Sequence, residues 1–185
     1  MAFDRQEGNA GLPYDAGGED LTAGIAIPFL FFHGCGRIRL MEHDGWRKYM
    51  NNKEMIKYFY ETVVTENLLD EVCRFVSPDC VLKIGEDDIP LGDDGMMTHL
   101  IEVKKTYPDY SMKILRQFCE GDYVISEFIM EGTHMGEWLG MKPTNKRLRF
   151  TGVDIDKVVN GKMVEHGGAV NTFETLFEEH MIKLV

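Results

Sequence analysis

The chain has 185 residues, 44% of them hydrophobic, which is enough for one soluble domain with a sizeable core. Twenty Lys and Arg against 31 Asp and Glu give a formal net charge of −11, so neither a nucleic-acid backbone nor an anionic membrane is an expected partner. The most apolar early run, Ala23 to Phe32, is too short to span a bilayer, is broken by Pro28 and follows an acidic stretch where a secretory signal carries basic residues, so a cytoplasmic location is expected.

Residues 1–49 hold eight of the 19 glycines and two of the six prolines, without a sustained helical or strand period. They are expected to form a poorly ordered N-terminal extension with an apolar patch at Phe29 to Phe32, and Met50 is a candidate true start. Cys35, Cys73, Cys80 and Cys119 make no CxxC pair and have mostly apolar or acidic neighbours, which suits buried free thiols in a reducing compartment. No histidine falls in a metal-ligand spacing, so no metal is expected.

From Met50 the pattern changes. Met55, Ile56, Phe59, Val63 and Val64 mark one face at helical spacing, with Asn52 as a plausible N-cap. A second short helix, LLDEVCRFV, should end at Ser77-Pro78. The acidic run Gly85 to Asp94 lacks the glycine and glutamate spacing of a calcium loop and reads as a solvated loop leading into a helix N-terminus. A third helix, DGMMTHLIEVKKTY, stops before Pro108.

Strands follow over 111–119, 122–134, 147–159 and 162–171, turning at Glu120-Gly121 and Asn160-Gly161. Asn-Gly between two alternating runs is a strong hairpin signal, because both residues tolerate positive φ. A final helical piece begins at Phe173. Helices followed by at least four antiparallel strands predict an α+β fold with helices packed on one face of a curved sheet that encloses a conical pocket for a small molecule.

The segment from Tyr107 onward carries Tyr107-Pro108-Asp109, Glu120-Gly121-Asp122, Gly132-Thr133-His134, Gly136-Glu137, Leu139-Gly140, Pro143-Thr144, Arg147, Phe150, Gly152, Asp154, Gly161-Lys162 and Glu165-His166. In these it resembles the SnoaL-like polyketide cyclases of the nuclear-transport-factor-2-like superfamily, with residues 50–185 as the matching domain. The resemblance implies a cone-shaped α+β fold and a cofactor-independent cyclase or isomerase using acid/base chemistry on a small hydrophobic substrate. A non-catalytic small-molecule binding dimer of the same fold is the alternative.

Alternation places Val124, Ser126, Phe128, Met130, Gly132 and His134 on one strand face, and Leu148, Phe150, Gly152, Asp154 and Asp156 on the inward face of the next. Asp154, desolvated after Phe150 and Gly152, is the first candidate acid/base, or else a partner of Arg147, Arg149 or a neighbouring lysine. His134 either polarises a developing oxyanion or stabilises the turn into the loop. Asp156, nearer the Asn-Gly turn, is expected in solvent. His166 is a second candidate proton carrier.

Against the family pattern, Gly167 replaces the usual tryptophan and Asn171 the usual aspartate, which weakens a second carboxylate. Gly167 and Gly168 either enlarge the cavity or mark a bulge. Trp138 in the loop 136–146 acts as a lid or packs on a helix or a second subunit. The expected substrate contacts are Phe128, Met130, Trp138, Phe150, Asn171 and Tyr58. An outward row of Ile125, Ile129, Thr133, Val153 and Ile155 predicts a homodimer.

Overall fold

A computed structural model describes residues 50–183. The expected N-terminal extension and its apolar patch lie outside the described residues. Helix α1 (Asn52–Tyr58) starts one residue earlier than its sequence suggests, because Asn51 is the N-cap. Its side-chain oxygen accepts from the Glu54 amide at 3.0 Å and the Glu54 carboxylate accepts from the Asn51 amide at 3.0 Å, a reciprocal capping box. The helix runs directly into a π-helical segment, Phe59–Val64, in which Phe59, Tyr60, Val63 and Val64 are all buried.

Helix α2 (Leu69–Phe75) gives way at Val76, already extended, to strand β1 (Val76–Ile84). Ser77 and Pro78 therefore sit inside a strand instead of merely stopping a helix. Gly85, at φ 61°, turns the chain into the short exposed strand β2 (Asp87–Pro90), so part of the acidic run is an edge strand, not a loop. Both strands lack an alternating apolar row, so no strand period marks them.

Helix α3 (Gly92–Thr106) precedes the meander β3 (Ser111–Glu120), β4 (Tyr123–Thr133), β5 (Arg147–Val159) and β6 (Lys162–Val170), and α4 (Thr172–Glu178) follows. The four long strands match their expected bounds within one residue. Asn160 and Gly161 have φ of 53° and 73°, the backbone a type I′ turn requires. The six-stranded sheet is ordered β2-β1-β6-β5-β4-β3, all antiparallel except β1 with β6. The sheet is open and its concave face carries the helices, the expected α+β arrangement.

Two irregularities set which side chains face inward. Leu115 is an extra residue in β3 opposite β4, and Val164 an extra residue in β6 opposite β5. Each such bulge flips the alternation beyond it. The core between helices and sheet includes Ile56, Phe59, Val63, Val72, Phe75, Val124, Phe128, Leu148, Phe150 and Met163. Of the cysteines expected as buried free thiols, Cys80 fits, Cys119 is free but exposed, and Cys73 is disulfide-bonded.

Candidate active site

The inward row of β5 ends in two carboxylates. Asp154 is 8% exposed and Asp156 is fully buried. The expectation of solvent at Asp156 is therefore corrected. Proximity to the Asn-Gly turn did not mean exposure, because Val158 and Met163, nearer still to the turn, are also buried and Lys162 donates to the Cys73 carbonyl of α2 at 2.7 Å. The helical layer extends over the hairpin end.

From that layer the π-helical segment lowers Tyr60 onto Asp156. The Tyr60 hydroxyl lies 3.1 Å from Oδ1 and 3.0 Å from Oδ2 of Asp156 and donates to this carboxylate. His166 reaches the same group from β6: Nδ1 is 2.8 Å from Asp156 Oδ1 and 3.4 Å from the Tyr60 oxygen. His166 faces inward because the bulge at Val164 restores it to the side of Met163, three residues earlier, where strict alternation would turn it away. Asp154 and Asp156 pair across the ladder with Gly168 and His166.

Burial raises the pKa of Asp154 from its ordinary range to about 7; the nearby Asp156 adds to this, while the charge of His166 and the polar Tyr60 hydroxyl oppose it. Burial disfavours charge on His166 too, but its hydrogen bond to Asp156 and the charges of Asp156 and Asp154 together outweigh that and raise its pKa. Burial, with both carboxylates close by, pushes the Tyr60 phenol well above its normal value, so it remains a proton donor. His99 of α3 is lowered by burial and by the charge of His166, which places a second imidazole within electrostatic reach. The cluster can hold and release a proton at Asp154 near neutral pH beside an imidazole whose charged form is favoured.

Gly168 is needed for this arrangement. A Cβ built there would stand 2.3 Å from Asp154 Oδ1 and 2.4 Å from the Val153 carbonyl oxygen, so the space left by the missing side chain is filled by the carboxylate. At Gly167 it would stand 2.9 Å from the Lys83 carbonyl oxygen of β1. The bulge considered for these glycines lies earlier, at Val164.

A family model described as SnoaL-like polyketide cyclase matches residues 54–177. The chain belongs to the SnoaL-like polyketide cyclase family. Solved structures similar to this SnoaL-like chain include a protein of Acidithiobacillus ferrooxidans provisionally assigned as a polyketide cyclase, with a TM-score of 0.64 and 16% identity over 71% of this chain and 96% of that one. IdmH of Streptomyces antibioticus, also provisionally a polyketide cyclase, gives 0.61 and 20% over 72% and 100%. AclR of Streptomyces galilaeus, provisionally a hydroxylase, gives 0.60 and 25% over 73% and 86%. No curated protein gives a significant sequence match.

In this SnoaL-like protein, many residues of the sequence motif build scaffold. Asp109 accepts from the Thr133 amide at 2.6 Å and hydroxyl at 2.8 Å and from Arg147 at 3.0 Å. Gly136 lies against the end of α3, where a Cβ would meet the Lys105 carbonyl oxygen at 2.6 Å. His134 is fully buried, with Nδ1 3.1 Å from Thr144 Oγ1 and its ring against Tyr107 and Trp138 at 5.8 and 6.4 Å. Eight residues separate it from Ser126, the strand partner of Asp154, about 26 Å of chain at strand spacing. The fold does not bring His134 to Asp154.

The remaining candidates divide similarly. Phe128 and Phe150 are fully enclosed in the core. Trp138 packs on Phe150 and Tyr107 at 5.7 and 5.9 Å. Met130 sulfur is 3.8 Å from the Tyr110 hydroxyl. Tyr58 lies against Phe75 at 5.6 Å, and exposed Asn171 caps α4, hydrogen-bonded to Glu174. Of the three expected catalytic residues the structure brings together Asp154 and His166. Tyr60 and His99 are not among the residues singled out from the sequence, and Asp156 is the carboxylate expected in solvent. Tyr60 was legible, since it follows Ile56 by four residues on the buried stripe.

Proposed function

We propose that this protein is a cofactor-independent cyclase or isomerase acting on a small hydrophobic carbonyl compound, with Asp154 as general base and His166 as the cationic hydrogen-bond donor. The observation that carries the reading is a buried, inward carboxylate with a pKa of about 7 beside an imidazole favoured in its charged form. Such a base is half-ionised at neutral pH and matched to removing a proton from carbon next to a carbonyl. The electron pair released by that C–H bond forms an enolate, whose oxygen takes a hydrogen bond from His166. In an aldol closure the enolate carbon then bonds to a second carbonyl carbon of the same molecule, and the resulting alkoxide takes the proton back from Asp154. An isomerase returns that proton to a different carbon.

Deuterium exchange tests the reading without the natural substrate. Simple hydrophobic β-ketoesters in deuterated buffer are expected to exchange their α-proton faster with the protein than with Asp154→Asn, with an apparent pKa near neutrality. Equal rates for the two proteins would refute the assignment and leave the non-catalytic binding module as the better account.

A further inference from the structure

The buried Asp156 is the feature of this site that the base assignment leaves unused. Its carboxylate has no exposure, receives the Tyr60 hydroxyl at 3.1 and 3.0 Å, and meets His166 Nδ1 at 2.8 Å. Tyr60 has a single proton and directs it to Asp156, so the short His166 contact is made by an Nδ1–H donor, with the Tyr60 oxygen at 3.4 Å as a weaker second acceptor. The ring is then fixed in tautomer and orientation, with Nε2 on the opposite edge.

We propose that Asp156, itself held by Tyr60, is a positioning residue that fixes the His166 ring through Nδ1 so that Nε2 of the protonated ring serves as the donor to substrate bound beside Asp154. The part about substrate rests on the reading of Asp154 as base; the fixing of the ring does not. It also accounts for a full carboxylate in the core. Removing one partner of a buried hydrogen-bonded pair is costly, and an Asp with two donors is tolerated where an unpaired one is not.

The other titratable groups facing this pair are Asp154 on β5, His99 on α3, Cys80 on β1 and Glu165 on β6. Glu165 is paired with Lys157 at 2.9 Å, and the Cys80 thiol is pushed up to about 11 by burial and by the carboxylates of Asp156 and Glu165. His99 repels a cationic His166, and Asp154 favours it.

The test uses the full chain labelled with 15N-histidine and follows the imidazole nitrogens of His166 against pH. The intact protein is expected to show the Nδ1–H tautomer for whatever neutral fraction appears at high pH; an Nε2–H tautomer would overturn the proposal with no variant needed. In Asp156→Asn the titration midpoint of His166 should fall by about 1–2 pH units, and the tautomer preference should weaken, because an amide can also donate. Tyr60→Phe should leave the tautomer as Nδ1–H. An unchanged midpoint in a folded Asp156→Asn protein would also defeat the idea. No substrate enters these measurements, so failed deuterium exchange with the expected titration would remove the base assignment and leave the positioning role standing.

Discussion

Replacing Asp154 by asparagine should make the protein more stable while abolishing proton transfer. The carboxyl holds its proton up to about pH 7 in the folded protein, against an ordinary 3.8. Between those values the folded state binds a proton that the unfolded chain has released, so stability falls as pH rises through that window and is fully regained only below about pH 4. A difference of this size corresponds to roughly 4 kcal/mol once the folded group is ionised. The amide must still satisfy its own polar atoms next to Tyr60 and Gly168, so a gain of about 2–4 kcal/mol is expected at pH 8. For a chain of this size that raises Tm by roughly 5–15 °C. Calorimetric melts of both proteins at pH 8 and pH 4 provide the assay. The gain should be present at pH 8 and vanish at pH 4, where both side chains are neutral. A variant no more stable than the parent at pH 8 would refute the reasoning that burial governs Asp154.

The other predictions concern packing and assembly. Gly168→Ala should cost about 1–3 kcal/mol by overpacking and shift the Asp154 titration, since its methyl group collides with the carboxylate and a backbone oxygen; denaturant melts measure the first and carboxyl NMR the second. Phe128→Ala should cost about 3–5 kcal/mol, as expected of a core ring seated against Gly152, and a cost below 1 kcal/mol would instead mark it as a pocket wall. The outward Phe118, Tyr123, Ile125 and Ile155 line a depression of about 530 Å³ on the convex sheet face. A homodimer covering it is expected, with Ile155→Glu shifting sedimentation toward monomer; a parent protein that sediments as a monomer at micromolar concentration would contradict this.

The fold and the site were legible to different depths. The alternation from Val124 to His134 and from Leu148 to Asp156 correctly placed Ser126, Phe128, Phe150 and Asp154 inward, because a strand's period of two is a local property. Motif residues such as Gly136, Asp109 and His134 were equally visible but advertised the wrong thing. They hold the loop 135–146 to the end of α3 and to β5, which is why they announce the family more clearly than the reaction.

By itself, the sequence determined the α+β order, the Asn160-Gly161 turn, the four long strands and Asp154 as the buried carboxylate, all consequences of short-range periodicity and turn stereochemistry. Only the tertiary structure decided the chemistry around that carboxylate. Tyr60 lies 96 residues from Asp156, and their meeting depends on how the helical layer crosses the sheet. His166 faces the same group only through an extra residue in β6 that no local pattern announces. A desolvated acid can be read from its neighbours in the chain, whereas its hydrogen-bond partners and the roof that dries it come from elements distant in sequence.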